Sequence, residues 1–244
     1  MSGIIINPYR FAAGFANTYS MNFDGVDDYI SLGIPTYLES KTTVTVSLWV
    51  QFTDVTTAGY STVFTLGSAS PRELFVRLNP EGVSRRIEFG VSNSFARATS
   101  SHFSDLVSGT WYHILGCYNK DLDDGTDAQI YLDGTMIFET NTNATLAASI
   151  TDDINLGDNG AWGALPGNID EVSVWNTDQR ANASAIYNSG TPPDLTSLSP
   201  IGWWRMGEHG TWDGSNWTFT DQGSGSNDGT SANMVEADRE EDTP

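Results

Sequence analysis

The chain has 244 residues, 39% hydrophobic and 11% aromatic, enough to bury the core of one large all-β domain. Eleven basic against 31 acidic residues give a formal charge of -20, a field that repels nucleic acid and anionic membranes and argues against both as partners. The single cysteine, Cys117, excludes an intrachain disulfide framework.

The opening "MSGIIINPYR" holds only three consecutive isoleucines and no basic flank, too short for a signal peptide or a membrane span. Residues 1–14 read as an N-terminal arm, in which Ile4, Ile5, Ile6, Tyr9 and Phe11 need a partner surface for burial and are candidates for assembly. "MNFDGVDDYISLG" follows, with Asp24, Asp27 and Asp28 crowded before an alternating run. In "TTVTVSLWVQF", Val44, Val46, Leu48 and Val50 fall on one face and Thr45, Ser47, Trp49 and Gln51 on the other, the two-residue period of a strand. "STVFTLG", "ELFVRL", "RRIEFGV", "WYHILGCY", "AQIYLDGTMIFET", "INLG" and "IDEVSVW" repeat that pattern between Gly, Asn, Asp, Ser and Pro clusters. Asp133-Gly134 supplies the two positive-φ positions of a type I′ hairpin.

Helix is scarce. "TDQRANASAIYNSG" predicts one, with Thr177 or Asp178 at its start, Ala181, Ala185 and Ile186 inward, and Gly190 at its end. "TPPDLTSLSP" reads as an extended linker, and residues 203–230 as a Trp- and Gly-rich stretch carrying Trp203, Trp204, Trp212 and Trp217. The chain closes on an acidic tail, 231–244, which composition alone would leave mobile.

The succession "FDGVDDYI", "TVSLWV", "WYHILGCY", "IYLDGTMI", "GNIDEVSVWN" resembles the concanavalin A-like lectin/glucanase superfamily, and within it the laminin G-like domains found in bacterial and phage multidomain proteins. The resemblance spans roughly residues 15–190 and implies an all-β fold: a two-sheet antiparallel jelly-roll sandwich, with one short helix near 178–188 and the first and last strands side by side. Segment 191–230 is expected to complete that sandwich or to contact a neighbour. Pairing of strand 29–33 with strand 169–175 would bring Asp24, Asp27 and Asp28 near Asn168, Asp170 and Glu171. Such hard oxygen ligands suit calcium, the cofactor the resemblance implies. The competing reading is a tight Asp24-Gly25 turn whose carboxylates bind backbone amides.

Glucanases of this superfamily place their carboxylates with Glu-x-Asp-x-x-Glu on one strand, and no such motif occurs. Asp170 and Glu171 are adjacent, so a strict two-residue period points them to opposite faces. His102, His113 and His209 stand apart, and "DLDDGTD" lacks the closing Glu of a calcium loop. An enzyme is therefore not expected. The main expectation is a noncatalytic phage virion protein, a capsid decoration, tail or fibre component on the virion or extracellular surface without a signal peptide. Its partners would be other virion proteins or further copies of itself. The alternative is a calcium-dependent carbohydrate-binding lectin, with Trp162, Trp212 and Trp217 stacking on sugar rings. A glycan hydrolase ranks third.

Overall fold

The computed structural model describes residues 15–244 apart from 57–58, 68–72, 80–85, 92–93, 98–105, 123–125, 142 and 158–162. Its strands form two antiparallel sheets. The first runs in the order β10 (Thr135–Thr140), β9 (Ala128–Leu132), β8 (Trp111–Asn119), β3 (Thr43–Phe52), β12 (Pro166–Trp175), β1 (Ser20–Asp24) and β17 (Arg239–Glu240), with β13 (Gly202–Trp204) also paired to β12. The second runs β14 (Gly210–Trp212), β15 (Trp217–Phe219), β16 (Gly229–Ala232), β2 (Tyr29–Ser31), β11 (Ile154–Leu156), β4 (Ser61–Leu66), β5 (Leu74–Asn79), β6 (Arg86–Val91) and β7 (Ser94–Arg97). The fold is the expected all-β sandwich, with one short α-helix among the described residues.

The two-residue period decides which face meets the core. Val44, Val46, Leu48, Val50 and Phe52 of β3 join Ile114 and Tyr118 of β8 and Phe64, Leu66, Val76 and Phe89 of the opposite sheet in one buried cluster. Gly116 is part of that fit, because a Cβ there would lie 2.5 Å from the Phe89 ring. Cys117 points the other way, wholly buried with Leu115, Trp175 and Trp203 in a second cluster.

That second cluster covers the outer face of the first sheet. A 3-10 turn at Arg180–Asn182 leads into α1 (Ala183–Tyr187), and the Asp178 carboxylate accepts the Arg180 amide at 3.1 Å where the turn begins. Ala183 and Ile186 face inward with Leu195, whereas Ala181 and Ala185 are exposed. The tight first turn rotates the apolar face away from the regular spacing that the sequence suggests. Asn188, at φ 47, ends the helix two residues before Gly190.

Two further expectations change. Strand 29–33 does not lie beside 169–175: β2 sits in the second sheet between β11 and β16, and β1 takes the place next to β12. The Asp24–Asp28 corner carries the chain from one sheet to the other, with Gly25 at φ 75 and so close to Pro166 that a Cβ would lie 2.8 Å from Pro166 Cβ. The acidic tail is not free either. Arg239–Glu240 extends the sheet as β17, and Asp242 accepts hydrogen bonds from Gln51 and the Trp111 indole at 3.0 Å each.

Candidate functional site

Strand β12 has β3 along one side and two strands end to end along the other. β13 faces Val172–Val174, and β1 faces Pro166–Ile169. Where one neighbour stops and the next starts, β12 bulges. The register against β3 shifts between Asp170 and Ser173, and Glu171 takes φ 47. Ile169, Val172 and Val174 remain in the core cluster, so the inserted residue leaves Asp170 and Glu171 together on the outer face. The strict alternation expected for this pair fails at that residue.

Glu208 completes a carboxylate cluster there: oxygens of Asp170, Glu171 and Glu208 all lie within 4.8 Å of one another. Asp170 is fully buried and accepts from Asn17 Nδ2 at 2.8 Å and from the Glu171 amide at 2.7 Å. Glu171 binds Arg205 Nε through Oε1 at 2.7 Å and the Trp203 indole through Oε2 at 2.8 Å. Glu208 Oε1 accepts the backbone amides of Thr18 and Tyr19, donors left over where β1 begins. Two buried oxygens, Glu208 Oε2 and Asn17 Oδ1, have no hydrogen-bond donor among the described residues.

Among the described residues, three carboxylates, two of them buried, meet one guanidinium, which leaves a negative excess. Burial, reinforced by Glu171, holds the Asp170 carboxyl well above the usual carboxylate range. Glu171 is raised to about 7 by burial, against the lowering pull of Arg205. Hard oxygens, a charge deficit and two donorless buried oxygens suit a divalent cation such as calcium.

The aspartates of the corner form a separate group. Asp24 Oδ1 accepts the Val26 amide at 2.7 Å and the Asp27 amide at 3.3 Å, and Asp28 Oδ2 accepts the Asp24 amide at 2.9 Å. These are the bonds of the turn reading. Burial raises Asp28 to about 6, offset by the Asp24 amide and reinforced by Asp24, Asp238 and Asp27. Asp24 faces Pro166 across the β1–β12 pair, four residues along β1 from Ser20, which adjoins the Asp170 level. At ~3.3 Å per residue this separates the two groups by about 13 Å. The five predicted calcium ligands thus do not converge: Asp24, Asp27 and Asp28 share one place and Asp170 another. Asn168 is spent on a third task, donating to Ser20 Oγ at 3.1 Å and Glu240 at 2.9 Å and accepting from Asn22 at 2.7 Å.

Among the predicted sugar-stacking residues, Trp217 is 2% exposed and donates its indole N–H to Val235 O, so it is a core residue rather than a platform. Trp212 is half-buried against the same core. Trp162 and the arm residues Ile4, Ile5, Ile6, Tyr9 and Phe11, like His102, lie outside the described residues.

Asn17, Glu208 and Arg205 are not among the residues that sequence patterning singles out. The legible signal was a charged pair inside the apolar run "WWRMGE", where an ionised group is buried only with a partner. Trp203 is a further addition. It stacks on Phe15 at 5.9 Å, and it walls a cavity of about 270 Å³ with Thr196, Pro200 and Gln222. A second cavity, of about 190 Å³, is lined by Lys120, Asp127, Asn141 and Asn143.

The sequence matches the Laminin_G_3 family model, described as concanavalin A-like lectin/glucanases superfamily, over residues 24–182. A search of curated proteins finds no match. Among solved structures, the fold is similar to that of a Bacteroides ovatus protein named for a presumed carbohydrate-binding role (TM-score 0.67, 18% identity). The similarity covers 89% of this chain, which spans 59% of that protein's length. It is also similar to a heptameric SAP-like pentraxin from Limulus polyphemus (TM-score 0.54, 13% identity, 72% of this chain and 86% of that one). A third is domain 4 of an extracellular arabinanase from Geobacillus stearothermophilus, solved with arabinotriose (TM-score 0.51, 20% identity, 69% of this chain and 76% of that one). The family match, carried by a sandwich of two antiparallel sheets, makes this chain a member of the concanavalin A-like lectin/glucanases superfamily.

Proposed function

We propose that this chain is a noncatalytic, lectin-like carbohydrate-binding module stabilised by a bound calcium ion. The observation that carries the reading is the state of its clustered carboxylates in a lectin-family fold. Asp170 and Glu171 are 0% and 3% exposed and engaged by Asn17, Arg205 and Trp203, so neither can reach a glycosidic oxygen. The sugar-binding names among similar structures support the same reading. The phage virion reading is weaker. Among its supports, the arm of residues 1–14 lies outside the described residues.

Asp170, Glu208 Oε2 and Asn17 Oδ1 would hold the calcium. The ion would neutralise the buried excess charge and lock residues 15–19 against β12 and the Arg205–Glu208 segment. Its role there would be structural.

Two measurements test the proposal. A glycan array probed with the purified protein should give hits, and an array without hits would refute the lectin reading. Thermal unfolding should show a midpoint raised by calcium and lowered by chelator, because a ligand that binds only the native state stabilises it. Asp170→Asn and Glu208→Gln should abolish that shift while Asp27→Asn keeps it. The reverse pattern would move the ion to the Asp24–Asp28 corner.

A further inference from the structure

The cavity beside Trp203 is built from two segments beyond the family-matched residues 24–182, the turn at 195–200 and the loop at 221–228. Both are fixed by hydrogen bonds to their backbone, many of them accepted by aspartate side chains. Asp221 Oδ1 accepts the amides of Trp203 at 2.8 Å and Gly223 at 2.7 Å, its Oδ2 accepts the Asn227 amide at 3.0 Å, and its own amide donates to Asp228 Oδ1 at 2.9 Å. The Gln222 amide donates to Trp203 O at 2.7 Å, and the Ser224 amide to Pro200 O at 3.3 Å. Gly223 permits this closeness, since a Cβ there would lie 2.7 Å from the Ile201 carbonyl. The shelf therefore exists before any ligand arrives, which lowers the ordering cost of binding.

Its chemistry is specific. Among the described residues, no charged side chain lines the cavity. Ser199, Gln222 and Ser224 are exposed, and Gln222 spends its amide N–H on Thr220 O at 3.2 Å, leaving its Oε1 to accept. Trp203, 5% exposed, forms part of the cavity floor, its ring stacked on Phe15 and its indole N–H held by Glu171. Hydroxyls and an amide around a small floor of Pro200 and Trp203 match the hydroxyl-rich edge of a sugar ring. The volume of about 270 Å³ suits a ligand smaller than the drug-sized molecules that fill pockets of ~300–1,000 Å³. A formal charge of -20 on the chain works against anionic sugars.

We infer that the cavity between Thr196–Pro200 and Gln222–Ser224 is the binding site for one neutral sugar residue, recognised by hydrogen bonds to Ser199, Gln222 and Ser224 above a floor of Pro200 and Trp203. The inference rests on the carbohydrate-binding function proposed for the chain and specifies where and what the module binds.

The test begins with an array of glycans ending in glucose, galactose, mannose or arabinose, together with sialylated and uronate-ended ones. The best neutral hit is then titrated calorimetrically into the wild type, Gln222→Ala and Ser224→Tyr. Both substitutions are at exposed positions, and unchanged unfolding midpoints confirm intact folding. The expected results are neutral hits only, affinity weakened about tenfold by loss of the Gln222 hydrogen bond, and no measurable binding to Ser224→Tyr, whose ring fills the cavity. Neutral hits bound equally by both variants would overturn this site and leave the lectin reading standing. A preference for sialylated or uronate glycans would overturn the neutral assignment. An array without hits would overturn the site together with the reading it rests on.

Discussion

Removing the positive charge from the β12 junction tests the charge balance of its buried cluster most sharply. In Arg205→Met the aliphatic stem is kept and the guanidinium is lost. Arg205 is 9% exposed, pairs with Glu171 at 2.7 Å, lies over the Phe15 ring at 3.7 Å and donates to Ala16 O. Breaking a buried ion pair from one side costs ~3–5 kcal/mol, because the remaining charge is stranded. At ~2–4 °C per kcal/mol for a chain of this size, the unfolding midpoint should fall by about 6–20 °C. The measurement is thermal and urea unfolding followed by circular dichroism at pH 8 in chelator. Adding Glu171→Gln to Arg205→Met should recover at least half of the loss, since it removes the stranded charge. A single-variant loss below ~1 kcal/mol, or a double variant no better than the single, would refute a charge-balanced junction.

Stability should also fall as pH rises from about 6.5 to 8. Glu171, lifted to about 7, keeps a proton in the folded protein that the unfolded chain has already released, and the native state gives up that proton-binding advantage as pH passes through this window. Below it His113, held down to about 3 by burial, works in the opposite direction, because the unfolded chain takes up a proton that the native state refuses. Urea midpoints that stay flat or rise between pH 6.5 and 8, in chelator, would contradict this; Glu171→Gln should reduce the fall and leave the part due to Asp170, which burial also raises. Trp217→Ala should cost ~3–5 kcal/mol as a core deletion, with glycan affinity unchanged in the folded fraction. Loss of glycan binding at unchanged stability would restore Trp217 as a platform. Cys117, fully buried and with its thiol pushed up to about 12, should not react with a thiol reagent at pH 8 until the protein is unfolded, and stoichiometric labelling of native protein would show the outer layer to be open.

What was legible in the sequence is what adjacent residues decide. The inward face of β3 follows from alternation alone, and the Asp133-Gly134 hairpin follows from two residues able to take φ 49 and 72. The turn chemistry of Asp24 and Asp28 was equally local, spanning two to four residues. The outward face of β3 was half-legible. Thr45, Ser47 and Trp49 alternate away from the core face yet are buried, because covering contacts come from residues after 176, Thr177 at Thr45 and Tyr187 at Trp49.

The candidate cation site was illegible for a stronger reason. A two-residue period assigns Asp170 and Glu171 to opposite faces, and only the exchange of neighbours on β12, from β1 to β13, bulges the strand and turns both outward. That exchange depends on a segment 34 residues downstream delivering Arg205 to Glu171 and one 153 residues upstream delivering Asn17 to Asp170. Once the chain has brought these ends together, three carboxylates, two of them buried, meet at one place, and the one guanidinium there among the described residues cannot balance them. A buried excess of this kind has two resolutions, a retained proton or a bound cation. The pH profile measured in chelator reads the first, and the calcium shift of the unfolding midpoint reads the second. If calcium takes the place of the proton, adding it must flatten the fall in stability between pH 6.5 and 8 that chelator exposes, a coupling that two unrelated effects would not produce.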